Sequence, residues 1–324
     1  MMRWQASGPN SELLLLDQAD VARCLDMPRC VAGVEEAFHA LGAGAVAGPG
    51  VLSVHVSGGA YHIKAGAWGD TFVAKVNANF PDNPRVGLPT IQGLATLFET
   101  ETGRPLAILD SAELTARRTG AATGVAVKHL AVAGPLTVTL CGCGRQAVCQ
   151  LEAVAAVRPL VRAYLCDVNA ASARRLADEV ADRMNAEVVP VAELRDCTRR
   201  SQVIITCTTA SHAFVGSDAV TAGALIAAVG ADNPHKSEIA AELMARSRVI
   251  TDLTNQCAEL GDLHHALAAG VMTRNDVYAE LGEVVAGKRV GRGTERDVIV
   301  FDSTGVALQD VVAARLVYNA ALRD

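Results

Sequence analysis

Aromatic side chains, long apolar runs and excess positive charge are all scarce in this 324-residue chain. Phe, Trp and Tyr make up 4% of it, so Ala, Val and Leu must supply most of the core. No stretch approaches the ~18 consecutive apolar residues that cross a bilayer, so we expect no membrane partner. Asp and Glu total 35 against 29 Lys and Arg, and this acidic balance argues against a nucleic-acid partner.

Disulfide and metal patterns are also missing. The nine cysteines include no CxxC pair, and most lie in apolar segments where free thiols pack as small hydrophobic groups. The first residues lack the charged and then apolar stretch of a secretory signal, so we expect a reducing cytoplasmic location. His235, His264 and His265 fit no zinc spacing, so we expect no metal site.

Two patterns divide the chain, whose length suits two domains. Helical spacing covers residues 13–47, strand-like alternation covers 51–56, 59–76, 91–99 and 105–110, and a helix is predicted over 113–131. From 136 to 302 short apolar strands alternate with helices, and a last helix covers 305–322. We predict an α/β fold: a doubly wound, parallel Rossmann sheet in 131–302, and an α+β domain in 1–130 completed by the C-terminal helix in 303–324.

The strongest motif lies between a predicted strand, 136–140, and a helix predicted to begin near Arg145. Gly142 permits a tight turn, Gly144 lets the backbone approach a pyrophosphate, and Ala147 stands where helix and strand pack closely. With Arg145 and Gln146 these residues form a loop at a helix N-terminus, which attracts phosphates. The sequence therefore predicts a dinucleotide site.

An acid follows at the expected distance. Asp167 ends the next strand, about 20 residues beyond the motif, where a carboxylate can bind both ribose hydroxyls. The same charge repels a 2′-phosphate, which favours NAD(H), while Arg174 and Arg175 keep NADP(H) possible. Thr206 and Thr208 follow a later strand and are predicted to flank the nicotinamide ribose; a simple turn is the alternative.

Several blocks of sequence together resemble the ornithine cyclodeaminase/μ-crystallin family. They are the Gly142 loop, Lys75-Val76-Asn77 with residues 83–84 and 87–90, and the segments 115–122, 230–236 and 301–305. The resemblance extends from about residue 13 to residue 321. It implies an NAD(P)-dependent homodimer with a dimerising substrate domain and a Rossmann domain, acting on a small amino acid or cyclic imino acid.

The resemblance also implies roles for three side chains. Arg118 matches the arginine that clamps the substrate carboxylate, Lys75 the lysine that polarises the C=N or C=O group, and Asp232 the aspartate that handles a proton. Each has an alternative interpretation. In these alternatives, Arg118 lies on a helix surface, although neighbouring Arg117 fits that position better. Lys75 is a solvated lysine, and Asp232 caps a helix that starts near Pro234.

This chain departs from the family pattern at two positions. The family usually has a basic residue near the position of Val51 and an arginine near that of His62. We expect His62 and Lys64, which alternation places on one strand face, to take over part of the carboxylate clamp. The change weakens a direct transfer of ornithine cyclodeamination, whose pocket must also bind a δ-amine.

Three functions follow from the resemblance. We favour an NAD(P)H-dependent reductase of a Δ1-pyrroline-2-carboxylate or ketimine substrate, or a related amino-acid dehydrogenase, with hydride transfer at the α-carbon. The first alternative is ornithine cyclodeaminase, and the second is a non-catalytic binding protein like μ-crystallin. The joint presence of Lys75, Arg118 and Asp232 argues against the last, because ligand binding alone needs no acid–base pair.

Overall fold

The computed structural model describes residues 2–5, 12–46 and 50–323. Backbone contacts divide the chain into two compact units. The first consists of Met1–Ala37, Gly44–Arg118 and Val306–Asp324, and the second of Phe38–Ala43 and Thr119–Gly305. Among the described residues, no helix combines the length and the apolar character needed to cross a membrane.

Within its described residues, the first unit contains a seven-stranded mixed sheet in the order β1-β2-β7-β6-β5-β4-β3. Neighbouring strands pair antiparallel except β2 and β7, which are parallel. The strands are β1 (Met2–Gln5), β2 (Glu12–Leu16), β3 (Gly50–Val56), β4 (Gly59–Trp68), β5 (Thr71–Asn79), β6 (Ile91–Glu99) and β7 (Pro105–Asp110). The first helices of the chain are α1 (Gln18–Cys24), α2 (Met27–Ala43) and α3 (Ser111–Leu130).

The helical prediction over residues 13–47 is wrong at its start. Glu12–Leu16 form β2, which pairs with β7 and buries Leu14 and Leu16. Consecutive leucines carry no periodicity that distinguishes a buried strand from a buried helix. The helix begins only after Asp17, whose carboxylate accepts a hydrogen bond from the Asp20 backbone N–H in a capping box.

The second unit contains, in the part that the structure describes, an eight-stranded parallel sheet in the order β10-β9-β8-β11-β12-β15-β13-β14. Its strands are β8 (Leu136–Cys141), β9 (Leu160–Cys166), β10 (Glu187–Val191), β11 (Val203–Thr206), β12 (Leu225–Ala228), β13 (Arg248–Thr251), β14 (Ala279–Glu280) and β15 (Ile299–Asp302). Its helices are α4 (Ala147–Val157), α5 (Ala170–Val180), α6 (Leu194–Thr198), α7 (Ala241–Arg246), α8 (Thr254–Leu260), α9 (Asp262–Ala268) and α10 (Leu281–Val285).

The order of this sheet reverses at β8. From β8 the chain continues to β9 and β10 on one side, then returns to β11 and β12 on the other. In doubly wound sheets ligands bind at such a switch point, outside the carboxyl ends of the strands. The predicted α/β fold with a parallel Rossmann sheet is confirmed. Helix α4 begins at Ala147 rather than near Arg145, because residues 144–146 form a turn closed by the Ala147 N–H on the Gly144 carbonyl.

The last helix, α11 (Ala307–Ala321), belongs to the first unit and lies against β4. Glycines permit α11 to approach its neighbours closely: a Cβ added at Gly66 of β4 would lie 3.3 Å from the Ala307 Cβ, and one added at Gly33 of α2 would lie 2.5 Å from Val312 Cγ1. Residues 307–314 are all buried, including the polar pair Gln309 and Asp310. This helix therefore carries polar side chains into the interior of the unit.

Candidate functional site

The glycine-rich turn after β8 has the backbone that a dinucleotide needs. Gly142 has φ +97°, and a Cβ there would lie 2.9 Å from both the Cys207 carbonyl oxygen and Thr208 Cγ2, so only glycine fits. A Cβ added at Gly144 would meet nothing within 4 Å, so the backbone there borders open space. Arg145 is exposed, and Gln146 is the N-cap of α4 without making a side-chain cap. The turn and helix end therefore fit a pyrophosphate.

Asp167 lies against this turn. One carboxylate oxygen accepts a hydrogen bond from the Cys143 backbone N–H at 2.8 Å, and the other accepts one from the Asn169 N–H at 2.8 Å. Both bonds fix the half-buried carboxylate beside the glycines, and a carboxylate oxygen can accept further bonds. The position fits an acid that binds ribose hydroxyls.

The two threonines predicted to flank the cofactor have a different partner. Thr206 Oγ1 donates to Glu238 Oε2 at 2.7 Å, and the backbone N–H and hydroxyl of Thr208 both donate to Glu238 Oε1 at 2.7 Å. Thr206 is completely buried, so its hydroxyl is turned into the protein and not toward a ligand. Glu238, which the sequence analysis missed, is also fully buried; burial and neighbouring Asp262 raise its pKa to about 7.

Asp232 lies in the turn that follows β12. Its side chain is 46% exposed, and the ammonium of Lys236 lies 2.7 Å from Oδ1. The proposed capping role is wrong, because residues 231–238 form bends and turns and no described helix begins near Pro234. Asn233, not Asp232, accepts the His235 backbone N–H. The Asp232 carboxylate therefore stands at the surface of the second unit, beside a cation.

In the first unit, Lys75 is a buried cation on β5. It is 2% exposed, so the solvated alternative is wrong. Its Nζ lies 2.7 Å from Asp310 Oδ1 and donates to Thr115 Oγ1 at 3.2 Å. Burial lowers the pKa of Lys75 to about 7, although the negative charge of Asp310 acts in the opposite direction.

Arg118 is buried beside the same carboxylate. Its Nε lies 3.0 Å from Asp310 Oδ1, and Nη1 donates to Gln309 Oε1 at 3.0 Å. The helix-surface alternative for Arg118 is therefore wrong. Arg117 does not lie on the surface either: its side chain is 16% exposed, bound to Glu113 and to the Leu25 carbonyl oxygen.

Asp310 is the residue that joins these two cations, and the sequence analysis missed it. Burial raises its pKa, but Lys75 and Arg118 outweigh burial and hold the pKa of Asp310 below its usual value. Within the described residues, Arg118 Nε, Asp310 Oδ2 and Gln309 Nε2 of this cluster are among the buried polar atoms without a hydrogen-bond partner. Two cations share one carboxylate, so with Lys75 protonated the trio carries a net charge of +1. The sequence signal was weak: an acid among the mostly apolar residues that begin the last helix.

His62 and Lys64 lie on β4, on one face as predicted. Lys64 is opposite Lys75 in the sheet register and close enough to influence the pKa of both Lys75 and Asp310. His62 is opposite Asn77, and its Nδ1 lies 3.0 Å from Ser53 Oγ. The first unit thus brings Lys64, Lys75 and Arg118 together, while the second holds the glycine turn, Asp167 and Asp232.

Comparison with known proteins places this architecture among amino-acid and imino-acid enzymes. An alanine dehydrogenase of Archaeoglobus fulgidus is 36% identical over 314 residues, covering 96% of each chain. The structure of an archaeal alanine dehydrogenase dimer with bound NAD is similar with a TM-score of 0.92 and 33% identity over 96% of each chain. A Thermococcus litoralis Δ1-pyrroline-2-carboxylate reductase in complex with NADH and L-proline is similar with a TM-score of 0.91 and 31% identity, over 96% of this chain and 98% of that one.

The family model for ornithine cyclodeaminase and mu-crystallin matches residues 11–324. This match over nearly the whole chain identifies it as a member of the ornithine cyclodeaminase/mu-crystallin family.

Proposed function

We propose that this protein is an NAD(H)-dependent oxidoreductase that transfers hydride at the α-carbon of a small amino acid or its imine. The favoured reaction is the reduction of a cyclic imino acid of the Δ1-pyrroline-2-carboxylate or ketimine type. The observation that carries the proposal is the buried pair of cations, Lys75 and Arg118, on the single carboxylate of Asp310. Relatives that act on alanine and on Δ1-pyrroline-2-carboxylate support it.

The trio supports binding of an anionic substrate. A net positive charge in a buried place is costly without a partner, and a ligand carboxylate supplies one. One Nη1 donor of Arg118 binds Gln309, and its Nε makes no hydrogen bond to a described residue, so Arg118 keeps donors that can hold a carboxylate. We propose that Lys64 and His62 add to this clamp from β4.

Proton handling is assigned to Lys75 and Asp232. A lysine with a pKa of about 7 can donate a proton or a strong hydrogen bond to the imine or carbonyl group near neutral pH. Asp232 is proposed to exchange the proton of the reacting nitrogen, with Lys236 holding its carboxylate. The nicotinamide, when bound, supplies or accepts the hydride. Asp167 favours NAD(H) over NADP(H), because its charge repels a 2′-phosphate.

We also propose a homodimer. Every residue of β3 is exposed, and Leu52, Val54 and Val56 form an apolar edge that an isolated chain leaves uncovered. The dimeric archaeal alanine dehydrogenase supports this assignment. Residues 1–130 with 303–324 are proposed to bind the substrate and dimerise, and residues 131–302 to bind the cofactor.

One experiment tests the function. The purified protein is given NADH with Δ1-pyrroline-2-carboxylate, NADH with pyruvate and ammonia, and NAD⁺ with ornithine, while NADH absorbance and ammonia are followed. We expect NADH consumption in the first tube, faster than in the second, and a lower rate when NADPH replaces NADH. Ammonia release from ornithine without net NADH change would instead identify a cyclodeaminase. NADH and ligand binding without turnover in any tube would identify a binding protein.

A further inference from the structure

Glu238 is a fully buried carboxylate that no step of the proposed reaction uses. It lies between the ends of two neighbouring strands, β11 and β12. Four donors converge on it: the hydroxyls of Thr206 and Thr208, the Thr208 backbone N–H and the Gly230 backbone N–H, at 2.7–2.9 Å. The two backbone N–H groups can only donate, and the two hydroxyls are free to donate as well, so the geometry suits the ionised carboxylate.

These four bonds fix two turns at the carboxyl edge of the sheet. Thr208 belongs to the turn after β11, and Gly230 to the turn that carries Asp232. Gly230 packs tightly against Glu238 and Thr208, since a Cβ added at Gly230 would lie 2.4 Å from Glu238 Oε1 and 2.6 Å from the Thr208 nitrogen. Replacing the carboxylate would therefore release both turns together.

A third turn follows from the same contact. A Cβ added at Gly142 would lie 2.9 Å from Thr208 Cγ2, so the Thr208 side chain packs directly against the glycine turn. Glu238 thus reaches the glycine turn through one intervening residue. The backbone of Glu238 is held by Asp262, whose carboxylate accepts hydrogen bonds from the N–H groups of Glu238 and Ile239.

We propose that Glu238 is a positioning residue of the cofactor site, which holds the Thr208 and Gly230 turns in register with the glycine turn so that all three present their backbone to the dinucleotide. This inference rests on the proposed function and deepens it. Burying an ionised carboxylate costs free energy, which hydrogen bonds must offset, so a buried Glu238 indicates a specific role. Glu238 acts through its neighbours and does not contact substrate or cofactor.

The test compares Glu238→Gln with Thr139→Val. Gln has nearly the same shape, but it carries no charge and presents an amide NH2 to donors. Thr139→Val removes a buried hydroxyl of β8 in the same unit, whose partner at 2.8 Å, Ser201 Oγ, belongs to none of the three turns. For each variant we would measure the NADH dissociation constant by NADH fluorescence, the melting temperature, and hydrogen exchange in peptides covering residues 203–212 and 226–234.

We expect Glu238→Gln to bind NADH about tenfold more weakly or worse, as for the loss of a charge-assisted hydrogen bond, and to lose exchange protection in both peptides. Thr139→Val should lower the melting temperature while keeping wild-type NADH affinity and protection. Wild-type affinity in folded Glu238→Gln would overturn the proposal, because a merely structural role changes only the melting temperature. If Glu238→Gln fails to fold, Thr206→Val removes one of the four bonds and should weaken NADH binding about threefold; unchanged affinity there would overturn the proposal equally. Failure of wild-type protein to bind NADH would instead overturn the proposed function, and the inference with it.

Discussion

Lys75 and Asp310 form an ion pair of 2.7 Å in which both side chains are at most 2% exposed. A buried pair of this kind contributes little net stability, and breaking it by removing one partner is costly. Arg118 lies 3.0 Å from the same carboxylate oxygen, so the charge of Asp310 influences both the proposed proton donor and the proposed carboxylate clamp. Most of the expected behaviour of the protein follows from this geometry.

Removing the charge of Asp310 should shift the pH dependence of turnover. Asp310 raises the pKa of Lys75 against burial, which has brought it to about 7, so Asp310→Asn lowers that pKa further. We expect the loss of kcat/KM on the alkaline side to move to lower pH, and kcat/KM at about pH 8 to fall at least tenfold. The measurement is kcat/KM against pH for wild type and variant.

Asp20→Asn is the matched control for that experiment. Asp20 is another buried carboxylate of the first unit, bound to Arg23 at 2.7 Å and remote in sequence from the trio. It should lower stability without moving the pH profile. An unshifted profile in folded Asp310→Asn would show that Asp310 does not control the protonation of Lys75.

Lys75 should make the stability of the protein depend on pH in a defined window. Its pKa falls from 10.5 to about 7 on folding, so between these values the unfolded chain holds a proton that the folded chain has released. The free energy of unfolding therefore increases as pH rises through this window, by up to about 1.4 kcal/mol per pH unit. Urea unfolding of wild type and Lys75→Met from about pH 7 to about pH 9 measures the difference. Parallel curves for the two proteins would contradict a depressed lysine pKa.

The two glycines of the motif should behave differently when each is replaced by alanine. Gly142→Ala is expected to destabilise the fold by about 1–3 kcal/mol, because its φ is positive and its Cβ would crowd Thr208 and Cys207. Gly144→Ala should keep the wild-type melting temperature, because its Cβ meets nothing within 4 Å, yet weaken NADH binding about tenfold or more. Thermal unfolding and NADH titration separate the effects. Unchanged NADH affinity in Gly144→Ala would show that this turn does not bind the cofactor.

Asp232→Asn should separate binding from chemistry. The side chain is at the surface and bound to Lys236, so its replacement leaves the packing intact. We expect kcat to fall by at least about a hundredfold with little change in the NADH dissociation constant. Lys236→Met is informative beside it, since it leaves the Asp232 carboxylate in place and should lower kcat without abolishing turnover. Full activity in Asp232→Asn would exclude Asp232 as the proton-handling group.

The sequence predicted what depends on local pattern. Alternating apolar strands and helices indicated the parallel sheet, and glycine spacing placed the Gly142 turn beside Asp167. It could not reveal Asp310 or Glu238 as site residues, because the neighbours of an acid in the sequence do not indicate its partner in the fold. Lys75 and Asp310 lie 235 residues apart in the chain, and only the packing of α11 against the first sheet brings them together. The strand β2 was missed because its leucines carry no periodicity.

The position of α11 has a consequence for biosynthesis. Residues 306–324 complete the first unit, although the ribosome adds them only after the whole of 119–305. Until these residues are synthesised, Lys75 and Arg118 lack the carboxylate of Asp310. Gly33 and Gly66 likewise lack the helix that packs against them. The first unit therefore cannot be completed until the second has been synthesised.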